Sequence, residues 1–272
     1  MKIKDKPETR ATNVLKISFP NITPARFGGW LIGVFPMLAL VAPAQAQQFM
    51  GDNQWTAPHG VSTQVITVGE EYSQYYFVLA AMEGLELNAQ FIHYYDDPRD
   101  STESHTSTML YAKYRISEND AKTTGYSVFI GTGLNPDYLD QGVVTQAFDS
   151  YFSTLTATYG WNNDRVLLDV MPGFTVNLDQ GDTDENAWDF TYTARLAIYD
   201  VIPQSAFVTE VFGTTGEAYA PPSYRAGVRW EGKKWVVAAT YSDAFDGSGG
   251  AGFEIGVIYF TDPRFCFGGC KR

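Results

Sequence analysis

Apolar side chains recur at every second residue in one short segment after another between Tyr75 and Tyr259. Around residue 190, for example, Trp188, Phe190 and Tyr192 alternate with polar residues. Successive side chains of a β-strand point to opposite faces, so a period of two predicts strands. An apolar face that recurs in strand after strand, opposite a charged face, is typical of a transmembrane β-barrel. We therefore predict an all-β fold, an antiparallel up-and-down transmembrane barrel of about 12 strands, within a range of roughly 10 to 14.

The lengths of the connections support this topology. The strands are predicted at 61–69, 73–82, 85–95, 105–116, 123–134, 149–160, 165–177, 187–199, 204–213, 222–231, 234–243 and 250–260. Short turns and longer links alternate along residues 61–260, as in barrels whose short turns face the periplasm. The exception is the short first link, at Glu70–Tyr72. An even number of strands places both termini on the periplasmic side.

The predicted outward face carries no charge. It includes Tyr75, Leu87, Leu110, Ile130, Leu155, Val170, Phe190, Val211, Val228, Val237 and Ile255. Lys or Arg at the bilayer midplane would cost about 2–4 kcal/mol. The alternative is a soluble sandwich or lipocalin-like barrel, in which the apolar face lines a core. Tyr and Trp at the strand ends favour the membrane fold, because aromatic rings anchor at both interfaces. Pro172-Gly173 predicts a bulge in the seventh strand.

The start of the chain predicts export. Six basic residues precede an apolar run at 30–41, which ends in the small-residue site Ala44-Gln45-Ala46. This pattern predicts a signal peptide at 1–46, cleaved before Gln47. The alternative, a membrane anchor, would need a longer apolar run. Residues 47–60 are predicted to form a periplasmic N-terminal segment.

The net charge excludes one class of partner. Residues 1–46 hold six basic and two acidic residues, so their removal lowers the formal net charge from −12 to −16. Nucleic-acid binding needs clustered positive charge, so a chain this acidic is not expected to bind nucleic acid.

Two cysteines, Cys266 and Cys270, lie in the tail 261–272, which is predicted to be periplasmic. In an exported protein we expect these two thiols to form a disulfide. A metal site would need further Cys or His nearby, and the tail has none. We expect no metal and no cofactor.

Inward-facing charges are the candidate functional residues. We predict that the lumen is lined by Lys113, Arg115, Arg165, Asp169, Arg195, Glu210, Arg225, Arg229 and Glu254. Basic residues gather toward the periplasmic end, which favours a narrow channel for small polar or anionic solutes or saccharides. The alternative is a set of ion pairs that fills a non-conducting, structural or accessory barrel, since buried charges need partners in any case.

An outer-membrane lipid hydrolase is a third alternative. Such enzymes need a nucleophile, a histidine and a residue that orients it. The only histidines are His59, His93 and His105, and none lies in a triad-like pattern. We therefore predict that the protein is not an enzyme.

The chain resembles Gram-negative outer-membrane β-barrel proteins over nearly all of residues 57–260. Phe253, Ile255, Val257 and Tyr259 resemble the terminal strand that the outer-membrane assembly machinery recognises. The resemblance implies contact with that machinery, with outer-membrane lipid and with lipopolysaccharide. Gly84-Leu85-Glu86-Leu87 and the segments Ala57–Gly60 and Tyr75–Leu79 also resemble the YjbH-type barrels associated with exopolysaccharide operons. That resemblance implies a role in exopolysaccharide export.

Overall fold

The computed structural model describes residues 52–95, 105–121, 123–133, 148, 150–163, 165–180, 185–216, 220–247 and 250–264. Its strands are Ser62–Gly69 (β1), Tyr72–Met82 (β2), Leu85–Tyr94 (β3), His105–Glu118 (β4), Gly125–Gly133 (β5), Ser150–Trp161 (β6), Val166–Gln180 (β7), Glu185–Tyr199 (β8), Ser205–Gly216 (β9), Ala220–Glu231 (β10), Trp235–Ala244 (β11) and Gly252–Phe260 (β12). Each overlaps a predicted strand.

Among the described residues, no helix is long and apolar enough to cross a membrane.

The strands form one closed antiparallel barrel, in which each strand pairs with its neighbours in sequence. Closure comes from β1, which pairs with β2 on one side and with β12 on the other. Ile66, for example, lies opposite Tyr75 of β2 and Val257 of β12. A closed sheet has no edge strand with unpaired backbone groups, which is the condition for crossing hydrocarbon with strands. The predicted fold class is confirmed.

The barrel has two different ends. We call the end where β1 begins and β12 ends the terminal rim, and the opposite end the loop rim. The terminal rim carries the tight turns after β2, β4, β6, β8 and β10. In one of these, Asn162 and Asn163 have φ values of 54° and 53°, the left-handed pair that a tight hairpin turn requires. Glu70-Glu71 makes the short link at the loop rim, as predicted.

The uncharged ribbon of side chains faces outward. Ile130, Val228 and Ile255 lie in the middle of their strands and are 62%, 57% and 50% exposed. The soluble alternative would bury these residues in a core, and the structure excludes it. Asp243 shares the outward side of β11, one residue from the end of that strand at the loop rim, where the cost of a charge in the membrane is small.

The bulge predicted at Pro172-Gly173 is wrong. β7 pairs with β8 through Pro172↔Tyr192 and Gly173↔Thr191 without a change of register. On the other side, β6 keeps one register before and after this point. Pro172 interrupts the hydrogen-bond ladder to β6 but adds no residue. Between the pairs Thr154↔Gly173 and Ala157↔Val170, β6 and β7 have the same number of residues. Gly173 is needed for space, since a Cβ atom there would lie 2.5 Å from the hydroxyl of Thr154.

Candidate functional site

The interior of the barrel holds most of the predicted lining residues. Lys113, Asp169, Arg195, Glu210, Arg225 and Glu254 are buried inside it. Arg115 and Arg229 are half-buried in the half of the barrel near the terminal rim. Arg165 is exposed in the turn before β7, so it lies at the rim and not on the lumen wall. Eight of the nine residues thus lie on the strands and are buried or half-buried, and their role in lining a pore stays a prediction.

A fully buried cluster lies in the half of the barrel near the loop rim, with Arg225 at its centre. Arg225 contacts Glu210, at 3.1 Å between Nη1 and Oε1, and Glu254, at 2.9 Å between Nε and Oε2. Glu254 also accepts hydrogen bonds from the hydroxyls of Tyr72 and Thr240. The side chains of the three charged residues have no exposed surface. One guanidinium therefore serves two carboxylates, and we call this group the Arg225 cluster.

A second ion pair joins two neighbouring strands. Arg195 of β8 lies directly opposite Asp169 of β7. Its Nε and Nη2 atoms donate to Oδ2 of Asp169 at 2.9 and 2.7 Å. The other carboxylate oxygen, Oδ1, accepts a hydrogen bond of 2.6 Å from the hydroxyl of Thr158. Both oxygens of this buried carboxylate are thus satisfied by the wall itself.

Lys113 is the third buried cation, and its partners come from two places. Its Nζ atom lies 3.8 Å from Oε2 of Glu86 on the neighbouring strand β3. It lies closer, at 2.8 Å, to Oδ2 of Asp52, and it donates to the carbonyl of Trp55 at 2.6 Å. Asp52 and Trp55 precede β1, so the N-terminal segment provides the nearest acceptors of this cation.

That segment lies inside the barrel. We call residues Asp52–Ala57 the inner segment. Its backbone N–H groups donate to inward side chains of three strands: Ala57 to Glu86 (2.6 Å), Gln54 to Thr158 (2.9 Å) and Asp52 to the sulfur of Met171 (3.0 Å). Residues 47–60 are predicted from the sequence to lie in the periplasm, outside the barrel. In the structure the N–H groups of Asp52, Gln54 and Ala57 instead donate to the lumen wall, so this part of the segment lies inside the barrel.

Aromatic side chains narrow the lumen on one side. The rings of Tyr76 and Tyr111 are stacked with centroids 6.1 Å apart, and the hydroxyl of Tyr111 donates to that of Tyr76. Tyr76 in turn donates to Asn88 at 2.7 Å. The ring of Phe152 meets Tyr111 edge-on at 5.8 Å. These rings of β2, β4 and β6 contact one another and narrow the lumen on this side.

A cavity of about 210 Å³ remains beside the inner segment. Its lining runs from Phe260 and Glu86, near the terminal rim, to Gln74, two residues from the loop-rim end of β2. Gln74 is buried, and its Oε1 atom accepts no hydrogen bond from the described residues. Buried acceptors normally have a partner, often water. The cavity thus extends along the wall of the barrel, and its lining mixes polar side chains such as Gln90 with apolar ones such as Val65 and Ile258.

The basic residues near the terminal rim are largely compensated. Arg115 pairs with Glu118 at 2.9 Å, and Nε of Arg229 donates to Glu231 at 2.6 Å. The positive field that we expected at this end is therefore weaker than the lysines and arginines alone would produce.

At the terminal rim itself, Lys234 donates to Asp262 at 2.7 Å. This hydrogen bond holds the pKa of Asp262 below its usual value and raises the pKa of Lys234. Both groups lie outside the strands, in the β10–β11 turn and in the tail after β12.

The histidines are dispersed. Nδ1 of His93 lies 3.4 Å from the hydroxyl of Thr106 on the outer surface, and its ring meets Tyr95 edge-on. His59 is half-buried just before β1. The side chain of His105 lies outside the described residues, as do Cys266, Cys270 and the predicted signal peptide 1–46. In the part of the chain that the structure describes, no three His, Cys, Asp or Glu side chains are grouped to hold a metal ion.

Comparisons with known proteins concern the fold alone. No family model matches the chain, and no curated protein matches it, so the resemblance to YjbH-type barrels has no support there. The chain is similar in structure to the KdgM porin (12% identity, TM-score 0.46, 73% of this chain and 98% of that one). It is also similar to an outer membrane channel from Pseudomonas putida F1 (13%, 0.45, 75% and 96%).

A third similar structure is LpxR from Salmonella typhimurium (8% identity, TM-score 0.41, 74% of this chain and 99% of that one). Likenesses this distant carry no argument about activity. The barrel itself is closed, antiparallel, uncharged at mid-strand on its outer face and charged within. The fold itself is thus that of a transmembrane β-barrel.

Proposed function

We propose that the protein is a narrow outer-membrane channel for small polar solutes, including anionic solutes and saccharides. The observation that carries the proposal is the cavity beside the inner segment, which has a mixed polar and apolar lining and reaches from near the terminal rim toward the loop rim. Eight-stranded barrels are filled by their own side chains and 16-stranded barrels leave wide channels. A barrel of twelve strands that retains a cavity partly lined by polar groups fits a narrow path between these extremes.

The lining fits polar solutes better than strongly charged ones. Gln74 and Gln90 offer amide groups to the cavity, while Lys113 and Arg195 reach it as members of ion pairs. Polar groups in a pore replace part of the hydration shell of a solute. The partly compensated charges would make any preference for anions modest.

The membrane and its lipids are the partners that this function requires. The uncharged outer belt would contact outer-membrane lipid, and the loop rim would contact lipopolysaccharide. The signal peptide would deliver the chain to the periplasm, and the terminal strand β12 would be read by the assembly machinery. The terminal rim would then face the periplasm, in keeping with its short turns.

Conductance in planar bilayers tests the proposal. The refolded mature protein should give small, discrete current steps with at most a modest preference for anions. The variant Gln74→Leu/Gln90→Leu should lower the step size, because it makes the narrow path apolar. The matched control is Gln64→Leu, since Gln64 lies on the outward side of β1 opposite Phe77 and Tyr259. Equal current steps in the two variants would contradict a solute path through the cavity that Gln74 and Gln90 line.

The Arg225 cluster favours a second function, that of a non-conducting structural or accessory barrel, such as one used in exopolysaccharide export. Its three charged side chains are fully buried and satisfy one another, so they leave no aqueous space around them. A complete absence of current steps at every voltage and salt concentration, both in the wild type and in a variant that lacks residues 48–56, would support this function and refute the channel.

A further inference from the structure

We propose that the inner segment, Asp52–Ala57, is a plug that crosses the lumen and sets the conductance of the channel. This inference rests on the proposed function, because a plug has a measurable effect only in a barrel that conducts. It concerns the regulation of the same path, and it follows from where the segment begins and ends.

The chain from Asp52 to the start of β1 has its two ends on opposite sides of the barrel. In a ring of twelve strands, β7 is the strand opposite β1. The chain enters β1 at Ser62, and the backbone of Gly60 bonds Ala80 on the neighbouring strand β2. Ten residues before Ser62, the N–H of Asp52 reaches the sulfur of Met171 on β7. The backbone therefore crosses the lumen.

The lengths agree with such a crossing. Twelve tilted strands about 4.8 Å apart form a cylinder roughly 24 Å wide. Nine residues of extended chain reach at most about 30 Å. The chain from Asp52 to Val61 is thus long enough to traverse the barrel without tension, and too short to take a wide detour around its wall.

The plug is held by polar contacts that can exchange with water. One side is bound by Lys113 and Glu86, through Asp52, Trp55 and Ala57. The other side is bound by Thr158 and Met171. None of these contacts belongs to the sheet ladder, so the segment can leave without breaking the barrel wall. Gln54 and Thr56 are buried now, but their polar side chains suit water equally well.

The contact between Trp55 and Phe260 adds an apolar anchor near the terminal rim. The two rings meet edge-on with centroids 6.3 Å apart, and Trp55 is still 38% exposed. The plug is therefore seated in the half of the barrel near the terminal rim. Displacement would also remove Asp52 from Lys113 and leave this cation with Glu86 at the longer distance of 3.8 Å. We therefore expect that release makes the path both wider and more favourable to anions.

Deletion of residues 48–56 tests the plug in planar bilayers. The unit conductance should rise roughly twofold or more, and the reversal potential in a salt gradient should shift toward anions. The point variant Asp52→Ala/Thr158→Val, which removes an anchor on each side, should shift both readouts in the same direction. Its matched control is Thr156→Val, at the next inward position of the same strand β6, which makes the same chemical change away from the segment.

A reversible lock completes the test. In a background of Cys266→Ser/Cys270→Ser, the variant Gln54→Cys/Thr158→Cys places thiols on two residues that are already in contact. The backbone N of Gln54 lies 2.9 Å from Oγ1 of Thr158. Oxidation forms a disulfide that fixes the plug, so the conductance should stay at or below the wild-type level. Reduction frees the plug, so the current should again fluctuate as in the wild type.

The outcomes separate this inference from the proposed function. If the wild type conducts, and the deletion variant and the anchor variant show the same conductance and selectivity as the wild type, the plug is refuted while the channel stands. If neither the wild type nor the deletion variant conducts, both are refuted. If the deletion variant fails to refold, the conductance of the anchor variant and the response of the disulfide lock to reduction decide whether the plug exists.

Discussion

Removal of the guanidinium from the Arg225 cluster should destabilise the barrel strongly. In the variant Arg225→Met, Glu210 and Glu254 would remain buried without their cation. Breaking a buried ion pair by removing one partner costs about 3–5 kcal/mol. Because Arg225 serves two carboxylates and none of the three side chains is exposed, we expect a loss in the free energy of unfolding at the upper end of that range.

The matched control is Arg229→Met, on the same strand and the same inward side. The side chains of Arg229 and its partner Glu231 are 20% and 31% exposed, and exposed pairs contribute at most about 1 kcal/mol. The triple variant Arg225→Met/Glu210→Gln/Glu254→Gln should recover most of the loss, because it removes the uncompensated charges.

Urea unfolding in lipid vesicles, followed by tryptophan fluorescence, measures these differences. A loss of less than about 1 kcal/mol for Arg225→Met would refute the reasoning. So would a loss equal to that of Arg229→Met. Either result would mean that water reaches the cluster freely, contrary to its burial in the structure.

Three further results are expected. Ile130→Arg, on the outer face, should destabilise the barrel by about 2–4 kcal/mol in vesicles, whereas Val201→Arg, in an exposed turn at the terminal rim, should not. Gly131→Ala should weaken the β4–β5 pairing, seen as faster amide exchange there, since the new Cβ would lie 2.3 Å from that of Tyr111. Asp262 should titrate in NMR below its usual pKa and return to it in Lys234→Met. Because its pKa is lowered in the folded state, the stabilisation from this pair is complete above the unfolded pKa and is lost as the pH falls through the folded value.

The twelve strands could be predicted because a barrel wall repeats one rule in every strand: outward apolar side chains alternate with inward polar ones. Ile130, Val228 and Ile255 follow that rule without exception, since a charge at any of these positions would contact hydrocarbon. The bulge predicted at Pro172 was wrong for a different reason. A missing N–H group shows that the ladder is interrupted, but it does not show whether a residue is added.

Part of the interior was within reach of the sequence. Asp169↔Arg195 and Glu210↔Arg225 are direct cross-strand pairs of neighbouring strands. Once two adjacent strands have a register, opposite charges on the inward face can be matched residue by residue. The register of these pairs depends on the lengths of the β7–β8 and β9–β10 links, which the alternation alone leaves undetermined.

The position of the inner segment was beyond the reach of the sequence. A polar stretch such as Asp52-Asn53-Gln54 has the same composition whether it lies in the periplasm or in a polar lumen. Its contact with Met171 joins residues 119 positions apart, and no periodicity links them. The fact that Lys113 needs a partner was a usable signal, but Glu86, on the adjacent strand, already provided a plausible one.

The central claim is that the uncharged ribbon contacts lipid, and spin labels test it most directly. Nitroxides placed at Ile130→Cys and Val228→Cys, with Cys266 and Cys270 replaced by Ser, report which molecules collide with them in reconstituted bilayers. We predict frequent collisions with dissolved oxygen, which concentrates in the hydrocarbon, and rare collisions with a water-soluble nickel chelate. Collisions with nickel as frequent as those of a label at Val201, in an exposed turn, would contradict the account.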